Sequence, residues 1–335
     1  MINHWLQFAI CALVIVFAGS TLTRSGATVS RNTGIGSAWI GALMLPLATS
    51  LPELVTTIRA VSIDAPNLAL GNILGSCLFN LSLLAVIDLL EGRGPLAKKV
   101  DRSHIIIASL STMTVSLAAI AMLGLVVLPV GWIGLETIII ALAYIFGSRL
   151  LFRYDKKSVA ISVSEEELVK HDEKKNTTAG ALIHFGISAI MIIIAGILLT
   201  DASDAIALET GLGHTFTGSI FLAISTSLPE TVTTITAVRL GLLDMAVANV
   251  FGANFMNLFI VFIADLFYRQ GPLLSFVSNN HIISALLVII MSSFIILGMI
   301  YRSGKSFLRI GYDVWLVLAC YLLAAYLLFK LGGNY

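Results

Sequence analysis

Long apolar segments recur along the whole chain, and they constrain its fold more than any other feature. Of the 335 residues, 58% are hydrophobic and only 12% are charged, whereas soluble domains carry about 25% charged residues. A helix of about 20 apolar residues crosses a bilayer, and it satisfies its own backbone hydrogen bonds within lipid. The sequence therefore predicts an all-α polytopic membrane protein.

Ten segments have the length and composition of membrane spans, and one polar segment, 153–178, separates the first five from the last five. The predicted spans are 5–23, 34–61, 66–90, 104–125, 131–152, 179–200, 213–239, 243–268, 281–301 and 309–330. The net charge of +1 gives no indication of nucleic-acid binding. We expect two five-helix domains, 1–152 and 179–335, joined by the linker 153–178.

The two halves repeat each other at a constant offset of 177 residues. Glu53 matches Glu230 at this offset, and Asp88 matches Asp265. Because each repeat holds an odd number of spans, the second half is expected to enter the membrane from the opposite side, as in many secondary transporters. Lys and Arg concentrate in the loops on one side. This bias predicts a plasma-membrane protein with both termini outside and a cytoplasmic linker.

The pentapeptide Thr-Ser-Leu-Pro-Glu occurs twice, at 49–53 and at 226–230, within the repeated regions 41–90 and 218–268. A carboxylate inside a membrane span is costly unless it faces a partner or a polar cavity. The adjacent proline removes a backbone donor and frees a carbonyl in the preceding turn. Each copy is therefore expected to supply a carboxylate, two hydroxyls and carbonyl oxygens at one depth in the membrane.

The span after each pentapeptide carries polar side chains at intervals of four, which places them on one helix face. The positions are Asn72, Ser76 and Asn80 in the first half; in the second half Asn249 and Asn257 stand on either side of the apolar Ala253. A packing role for Asn72 and Asn249 is as compatible with the sequence as a binding role. The candidate metal ligands are Glu53, Glu230, Thr49, Thr226, Ser50, Ser227, Ser76, Asn80 and Asn257.

An oxygen-rich site of this kind suits a hard cation. Ca²⁺ takes six to eight oxygen ligands, whereas Mg²⁺ keeps its waters, and the sequence has no His or Cys cluster suited to Zn²⁺ or Cu⁺. Two carboxylates can be neutralised by one Ca²⁺, by Na⁺ ions or by protons, which is the chemical basis of exchange. We expect a secondary antiporter and no cofactor apart from the transported ions.

Three other functions remain open from the residues. The counter-ion of an antiporter could be H⁺ or K⁺ instead of Na⁺, and a cation channel could use the same buried carboxylates. An intramembrane enzyme is less compatible with the sequence, which lacks the His-rich or Asp-rich sets of metal-dependent examples. The lipid bilayer is the one expected partner besides the ions.

Four further acidic residues receive structural interpretations. Glu136 and Asp313 stand near predicted helix starts, where a carboxylate interacts favourably with the helix dipole. Asp88 and Asp265 lie near predicted helix ends, and we expect them to face interfacial water, with a role at the mouth of the ion pathway as the alternative.

The doubled motif resembles that of the cation/Ca²⁺ antiporter superfamily, and within it the prokaryotic sodium/calcium exchangers. The resemblance rests on segments 49–53 and 71–80, and on their counterparts 226–230 and 248–257. It implies that the two glutamates bind Ca²⁺ and competing Na⁺, and that the first and sixth helices slide over the rest. The other implied roles are oxygen ligands at Thr49 and Thr226, support at Ser50 and Ser227, Na⁺ binding at Ser76, and flanking amides at Asn80 and Asn257.

The sequence also departs from the family pattern. Ala253 stands where relatives have a serine similar to a Na⁺ ligand, and Asn257 stands where an aspartate is frequent. The second half therefore offers one hydroxyl fewer to a coupling ion. The proton-coupled branch is less similar, because its characteristic glutamate does not follow Gly71 and Asn72 here.

Overall fold

The computed structural model describes residues 2–92, 94–124, 128–162, 177–210, 224–302, 306–307 and 310–332. Nearly all of these residues are helical. The helices are α1 (Ile2–Thr33), α2 (Ser37–Thr49), α3 (Leu51–Ser62), α4 (Pro66–Glu91), α5 (His104–Met122), α6 (Leu135–Ser162), α7 (Thr178–Glu209), α8 (Leu228–Arg239), α9 (Leu243–Phe267), α10 (Asn280–Tyr301) and α11 (Tyr312–Gly332). Two short antiparallel hairpins precede α6 and α11: β1 (Pro129–Val130) with β2 (Ile133–Gly134), and β3 (Ser306–Phe307) with β4 (Ile310–Gly311).

Seven of the described helices are long and apolar enough to cross a membrane, and the bent pair formed by α2 and α3 makes an eighth. The shorter apolar stretch Tyr312–Leu328 lies within α11. Of the predicted span 213–239, only its last part, which forms α8, falls within the described residues. The chain is therefore a multi-pass helical membrane protein, as the composition predicts.

The helix that carries the first pentapeptide is broken between α2 and α3, which meet at an angle of 45°. Ser50 stands at the break with φ −86° and ψ 8°, and Pro52 lies in the first turn of α3, where its missing N–H costs nothing. Helix α8 begins in the same way, with Ser227 at φ −89° and ψ 11° before Pro229. Both predicted proline interruptions are thus observed as helix starts.

Helices α4 and α9 form the buried centre of the bundle, and α2 packs directly against α9. The segment Ile40–Met44 of α2 is a π-helical turn, a feature frequent at functional sites. A Cβ atom at Gly252 would overlap the backbone carbonyl of Ala42, and one at Gly41 would overlap that of Met245. These glycines therefore permit a backbone-to-backbone approach, as small residues do in membrane helix pairs.

Asp88 is buried at the end of α4, and the prediction that it faces interfacial water is wrong. Its side chain is 0% exposed. Its Oδ1 accepts a hydrogen bond from the backbone N–H of Leu96 at 2.8 Å, and its Oδ2 accepts one from Gly311 at 2.7 Å. Two backbone N–H groups thus take the place of water. One lies in a turn of the same half, and the other lies in a hairpin of the other half.

Asp265 at the end of α9 has the reciprocal arrangement, and the same prediction is wrong for it. It is also 0% exposed. Its Oδ1 accepts from the N–H of Leu273 at 2.7 Å and its Oδ2 from that of Gly134 at 2.8 Å. The hydroxyl of Thr137 donates a further bond to Oδ2 at 2.5 Å. Each aspartate therefore ties its own half to the hairpin of the other half.

The starts of α6 and α11 agree with the sequence prediction. Glu136 and Asp313 lie in the first turns of these helices, where a carboxylate is stabilised by the helix dipole. Helix α6 continues to Ser162, into the segment 153–178 predicted as a linker, and α7 begins at Thr178.

Candidate functional site

The two glutamates of the doubled pentapeptide lie at matching positions in the fold. Glu53 is in the first turn of α3 and Glu230 is in the first turn of α8. Each residue is only 1% exposed. Free backbone N–H groups at a helix N-terminus favour an anionic side chain, so the breaks that precede these helices help the carboxylates to be buried.

Each carboxylate accepts a hydrogen bond from the serine of the opposite half. Ser50 Oγ donates to Glu230 Oε1 at 2.9 Å, and Ser227 Oγ lies 3.3 Å from Glu53 Oε1 and 3.1 Å from Ser76 Oγ. A hydroxyl has one proton to donate. Ser227 can therefore donate to only one of these two oxygens at a time, Glu53 Oε1 or Ser76 Oγ.

All nine predicted ligands are buried in the interior of the bundle. None of them is more than 1% exposed. Thr49 lies beside Glu230, and Thr226 is 0% exposed next to the start of α8. The residues that are joined directly by hydrogen bonds are Ser50, Glu230, Ser227, Glu53 and Ser76.

One of the two flanking amides, that of Asn80, is held by a residue that the sequence does not single out. Asn80 Nδ2 donates to Asn254 Oδ1 at 3.2 Å, and Asn254 Nδ2 donates to the carbonyl of Cys77 at 3.1 Å. Asn257 Nδ2 lies 3.9 Å from Cys77 Sγ. The 177-residue offset pairs Asn254 with Cys77, so the repeat did not mark it. Its position three residues before Asn257, on the same side of α9, is the available signal.

Five buried oxygens of the candidate ligands have no hydrogen-bond partner among the described residues. They are Thr49 Oγ1, Glu53 Oε2, Glu230 Oε2, Asn80 Oδ1 and Asn257 Oδ1. An unpaired buried acceptor is costly, and an unpaired carboxylate is more so. Acceptors without donors are the groups that a hard cation coordinates, so these oxygens fit a cation as the substrate of the site.

The outer asparagines of the two polar faces have a packing role in the structure. Asn72 Nδ2 donates to Thr57 Oγ1 at 3.2 Å. Asn249 Nδ2 donates to Thr234 Oγ1 at 2.9 Å and lies 3.1 Å from Thr233 Oγ1. These bonds fasten α4 to α3 and α9 to α8, which supports the helices that carry the glutamates.

The charge of the site comes from two carboxylates alone. Within the described ranges, no group of three or more His, Cys, Asp or Glu side chains is arranged to hold a metal ion. The other oxygens come from hydroxyl, amide and backbone carbonyl groups. Such a weakly charged, mixed set suits an ion that is bound reversibly.

The fold defines a multi-pass membrane protein whose two halves each contribute a buried carboxylate from a helix that begins after a break. A family profile described as sodium/calcium exchanger protein matches residues 3–153 and 180–331. The chain therefore belongs to the sodium/calcium exchanger family, and the resemblance to the cation/Ca²⁺ antiporter superfamily is confirmed. The family is one of transporters and not of enzymes.

Three curated relatives are similar over most of their length. The chain is 25% identical over 297 residues to the sodium/calcium exchanger MaX1 of Methanosarcina acetivorans, covering 80% of this chain and 84% of the relative. It is 27% identical over 253 residues to the inner membrane protein YrbG of Escherichia coli, covering 74% and 75%. An uncharacterised membrane protein of Methanocaldococcus jannaschii is 23% identical over 253 residues, covering 75% and 78%.

Solved structures of the sodium-calcium exchanger NCX_Mj have the same fold. One of them, from a crystal soaked with Na⁺ and Ca²⁺, superposes with a TM-score of 0.73 at 20% identity. The match covers 97% of this chain and 98% of the other chain. At 20% sequence identity, this structural similarity establishes the fold alone.

Proposed function

We propose that the chain is a secondary antiporter that exchanges Ca²⁺ for Na⁺ across the plasma membrane, with the ions bound by Glu53 and Glu230. One observation carries the proposal: each buried carboxylate is hydrogen-bonded by a serine from the opposite half and keeps one oxygen without a donor among the described residues. A site shared by the two halves can close only when both halves meet around the ion.

The chemistry of the oxygens favours Ca²⁺ as the divalent substrate. Two carboxylate oxygens and the amide oxygens of Asn80 and Asn257 are available without breaking a hydrogen bond. Hydroxyls at Ser50, Ser76 and Ser227 and carbonyls near the helix breaks can complete a coordination number of six to eight. The candidate ligands Thr49 and Thr226 belong to the same set.

The same two charges explain exchange. A doubly charged, empty site is costly to enclose in a membrane protein, whereas one Ca²⁺ or a pair of Na⁺ ions neutralises it. Ca²⁺ and Na⁺ therefore compete for the carboxylates. Only a site that holds its ions switches from facing one side of the membrane to facing the other. Ala253 lacks the hydroxyl that Ser76 supplies in the first half, so Na⁺ is bound mainly by first-half oxygens.

Ten membrane spans in two inverted repeats are part of the proposal. The reciprocal bonds of Asp88 to Gly311 and of Asp265 to Gly134 support a two-fold relation between the halves. Domains 1–152 and 179–335 form the repeats, and the linker 153–178 is cytoplasmic, with both termini outside. The charge bias of the loops supports this orientation.

Alternating access is assigned to α1 and α7, which lie along each other against the remaining helices. Glycines occur where these two helices cross α3 and α8, the helices that carry the glutamates. A Cβ atom at Gly196 would overlap the ring of Pro52, and one at Gly19 would press on Val232. Smooth helix surfaces at these equivalent positions support a sliding motion past α3 and α8.

Radioactive Ca²⁺ flux into proteoliposomes tests the site. Glu53→Gln and Glu230→Gln are isosteric and remove one charge each, so both variants are expected to lower exchange to background while remaining monodisperse. Glu91→Gln is the matched control, because Glu91 pairs with Lys99 at the end of α4 at 3.2 Å, away from the site. Wild-type rates in either site variant would refute the assignment.

A further inference from the structure

A cavity of about 330 Å³ lies away from the ion site, between the start of α2 and the last part of the α6 span. Its lining combines two arginines with aromatic and aliphatic side chains and one hydroxyl. The lining residues are Trp39, Leu43, Ser148, Arg149, Phe152 and Arg153. Neither the ion site nor the proposed exchange uses any of them.

The residues of this cavity share one face of each helix and lie at a membrane boundary. Arg149 and Arg153 are four residues apart on α6, so they project from one side. The apolar span of α6 runs over Leu135–Tyr154, which places both guanidinium groups at its end. The rings of Trp39 and Phe152 meet edge to face at 5.5 Å and close one wall.

The cavity presents hydrogen-bond donors that are not engaged. The indole Nε1 of Trp39 is buried and has no acceptor among the described residues. Neither Arg149 nor Arg153 forms an ion pair with another described side chain. A buried N–H without a partner is costly, so the site as built favours an anionic group that accepts from all three side chains.

We propose that this cavity binds the phosphodiester headgroup of an anionic phospholipid. Guanidinium groups match phosphate oxygens in a bidentate geometry, and an indole N–H at the interface adds a third donor. The walls formed by Leu43 and Phe152 are apolar, which suits the first part of an acyl chain and not a free anion. Basic pockets between membrane helices on the cytoplasmic side bind such headgroups.

The arginine pair of this cavity is not repeated at the equivalent positions of the second half. At the 177-residue offset, Arg149 and Arg153 correspond to Tyr326 and Lys330. The ammonium group of Lys330 lies 5.4 Å from the ring of Tyr326, so the other half has no pair of free arginines at this position. The lipid therefore binds at the face where the loops are rich in Lys and Arg, which is the cytoplasmic face in the proposed orientation.

The position of the cavity connects it to the helix that leads to the ion site. Trp39 immediately precedes the π turn Ile40–Met44, and α2 then continues to Thr49. A headgroup held between Trp39 and α6 fixes the start of α2 against α6. Lipid binding itself does not depend on the ion that the protein transports.

Native mass spectrometry of the detergent-solubilised full chain tests the inference. The probes are phosphatidylglycerol and phosphatidylcholine with identical acyl chains, each titrated against wild type and the Arg149→Gln/Arg153→Gln double variant. We expect the wild type to retain phosphatidylglycerol with a preference of roughly 30-fold, from the usual contribution of two basic residues near an anionic headgroup. The double variant is expected to lose this preference.

The controls separate the site from general charge and from a free anion. Arg102→Gln removes an exposed arginine in the loop before α5 that does not line the cavity, and it is expected to keep the preference. Trp39→Phe is expected to weaken it roughly fivefold, because one hydrogen bond is lost. Equal retention of both lipids by the wild type, an unchanged preference in the double variant, or displacement by millimolar glycerol phosphate would overturn the proposal.

Discussion

Replacing Asp265 with asparagine is expected to destabilise the whole fold. The substitution keeps the shape of the side chain but turns one of two acceptor oxygens into a donor. Asp265 accepts three hydrogen bonds while fully buried: one at Oδ1 from Leu273, and two at Oδ2 from Gly134 and Thr137. The best placement of the amide keeps the two bonds at Oδ2 and turns its NH₂ toward the N–H of Leu273.

The expected loss follows from these contacts. One hydrogen bond to a charged group, worth about 1.5–3 kcal/mol, disappears, and a buried N–H is left unpaired at a cost of about 1–3 kcal/mol. Relief of the buried charge offsets part of this loss. We expect the free energy of unfolding to fall by about 3 kcal/mol, and the midpoint of thermal unfolding to fall by roughly 6 °C.

Thermal unfolding of the purified protein in detergent, followed by intrinsic fluorescence, measures this effect. Thr137→Val is the graded control, because it removes a single neutral donor and is expected to cost about 1 kcal/mol. Asp64 accepts one hydrogen bond from Tyr268 at 2.9 Å. Asp64→Asn is therefore also expected to lower the free energy of unfolding by about 1 kcal/mol. An unfolding midpoint of Asp265→Asn equal to that of the wild type would refute the role of this carboxylate as a tie between the halves.

Two further predictions concern packing and the orientation of the site. Gly252→Ala places a methyl group against the carbonyl of the π turn in α2 and is expected to cost about 3 kcal/mol, measured as a lower unfolding midpoint. Gly186→Ala is its control, because nothing lies within 4 Å of a Cβ atom there, and an equal midpoint for both variants would contradict the close approach. Asn254→Ala leaves the buried amide of Asn80 and the carbonyl of Cys77 unpaired, and it is expected to raise the Km for Ca²⁺ roughly tenfold and to lower the unfolding midpoint. A normal Km in Asn254→Ala would show that Asn254 does not position the site.

The sequence was sufficient to predict the elements on which the site depends, because their physical signals are local. A glutamate beside a proline in an apolar span is costly, so Glu53 and Glu230 stand out without any knowledge of the fold. The helix starts at Ser50 and Ser227 follow from the same prolines. The constant offset between the copies made their pairing across the halves predictable.

Other features depend on contacts between residues far apart in the chain, and no local pattern contains them. The position of Asp88 near a helix end predicts contact with interfacial water, yet its second partner, Gly311, is more than 200 residues away in the chain. The repeat does not indicate Asn254, because its counterpart at the 177-residue offset is Cys77 and not a polar residue of the same kind. The π turn in α2 lies where its backbone packs closely on α9.

The central claim is that Na⁺ and Ca²⁺ are exchanged at the paired glutamates, and ion-gradient-driven uptake tests it most directly. Proteoliposomes loaded with Na⁺, with K⁺ or at acidic pH are diluted into a medium that contains radioactive Ca²⁺ and lacks the internal ion. The account predicts Ca²⁺ accumulation that depends on internal Na⁺ and is absent in Glu53→Gln. Accumulation driven by the pH gradient or by K⁺, and not by Na⁺, would contradict it.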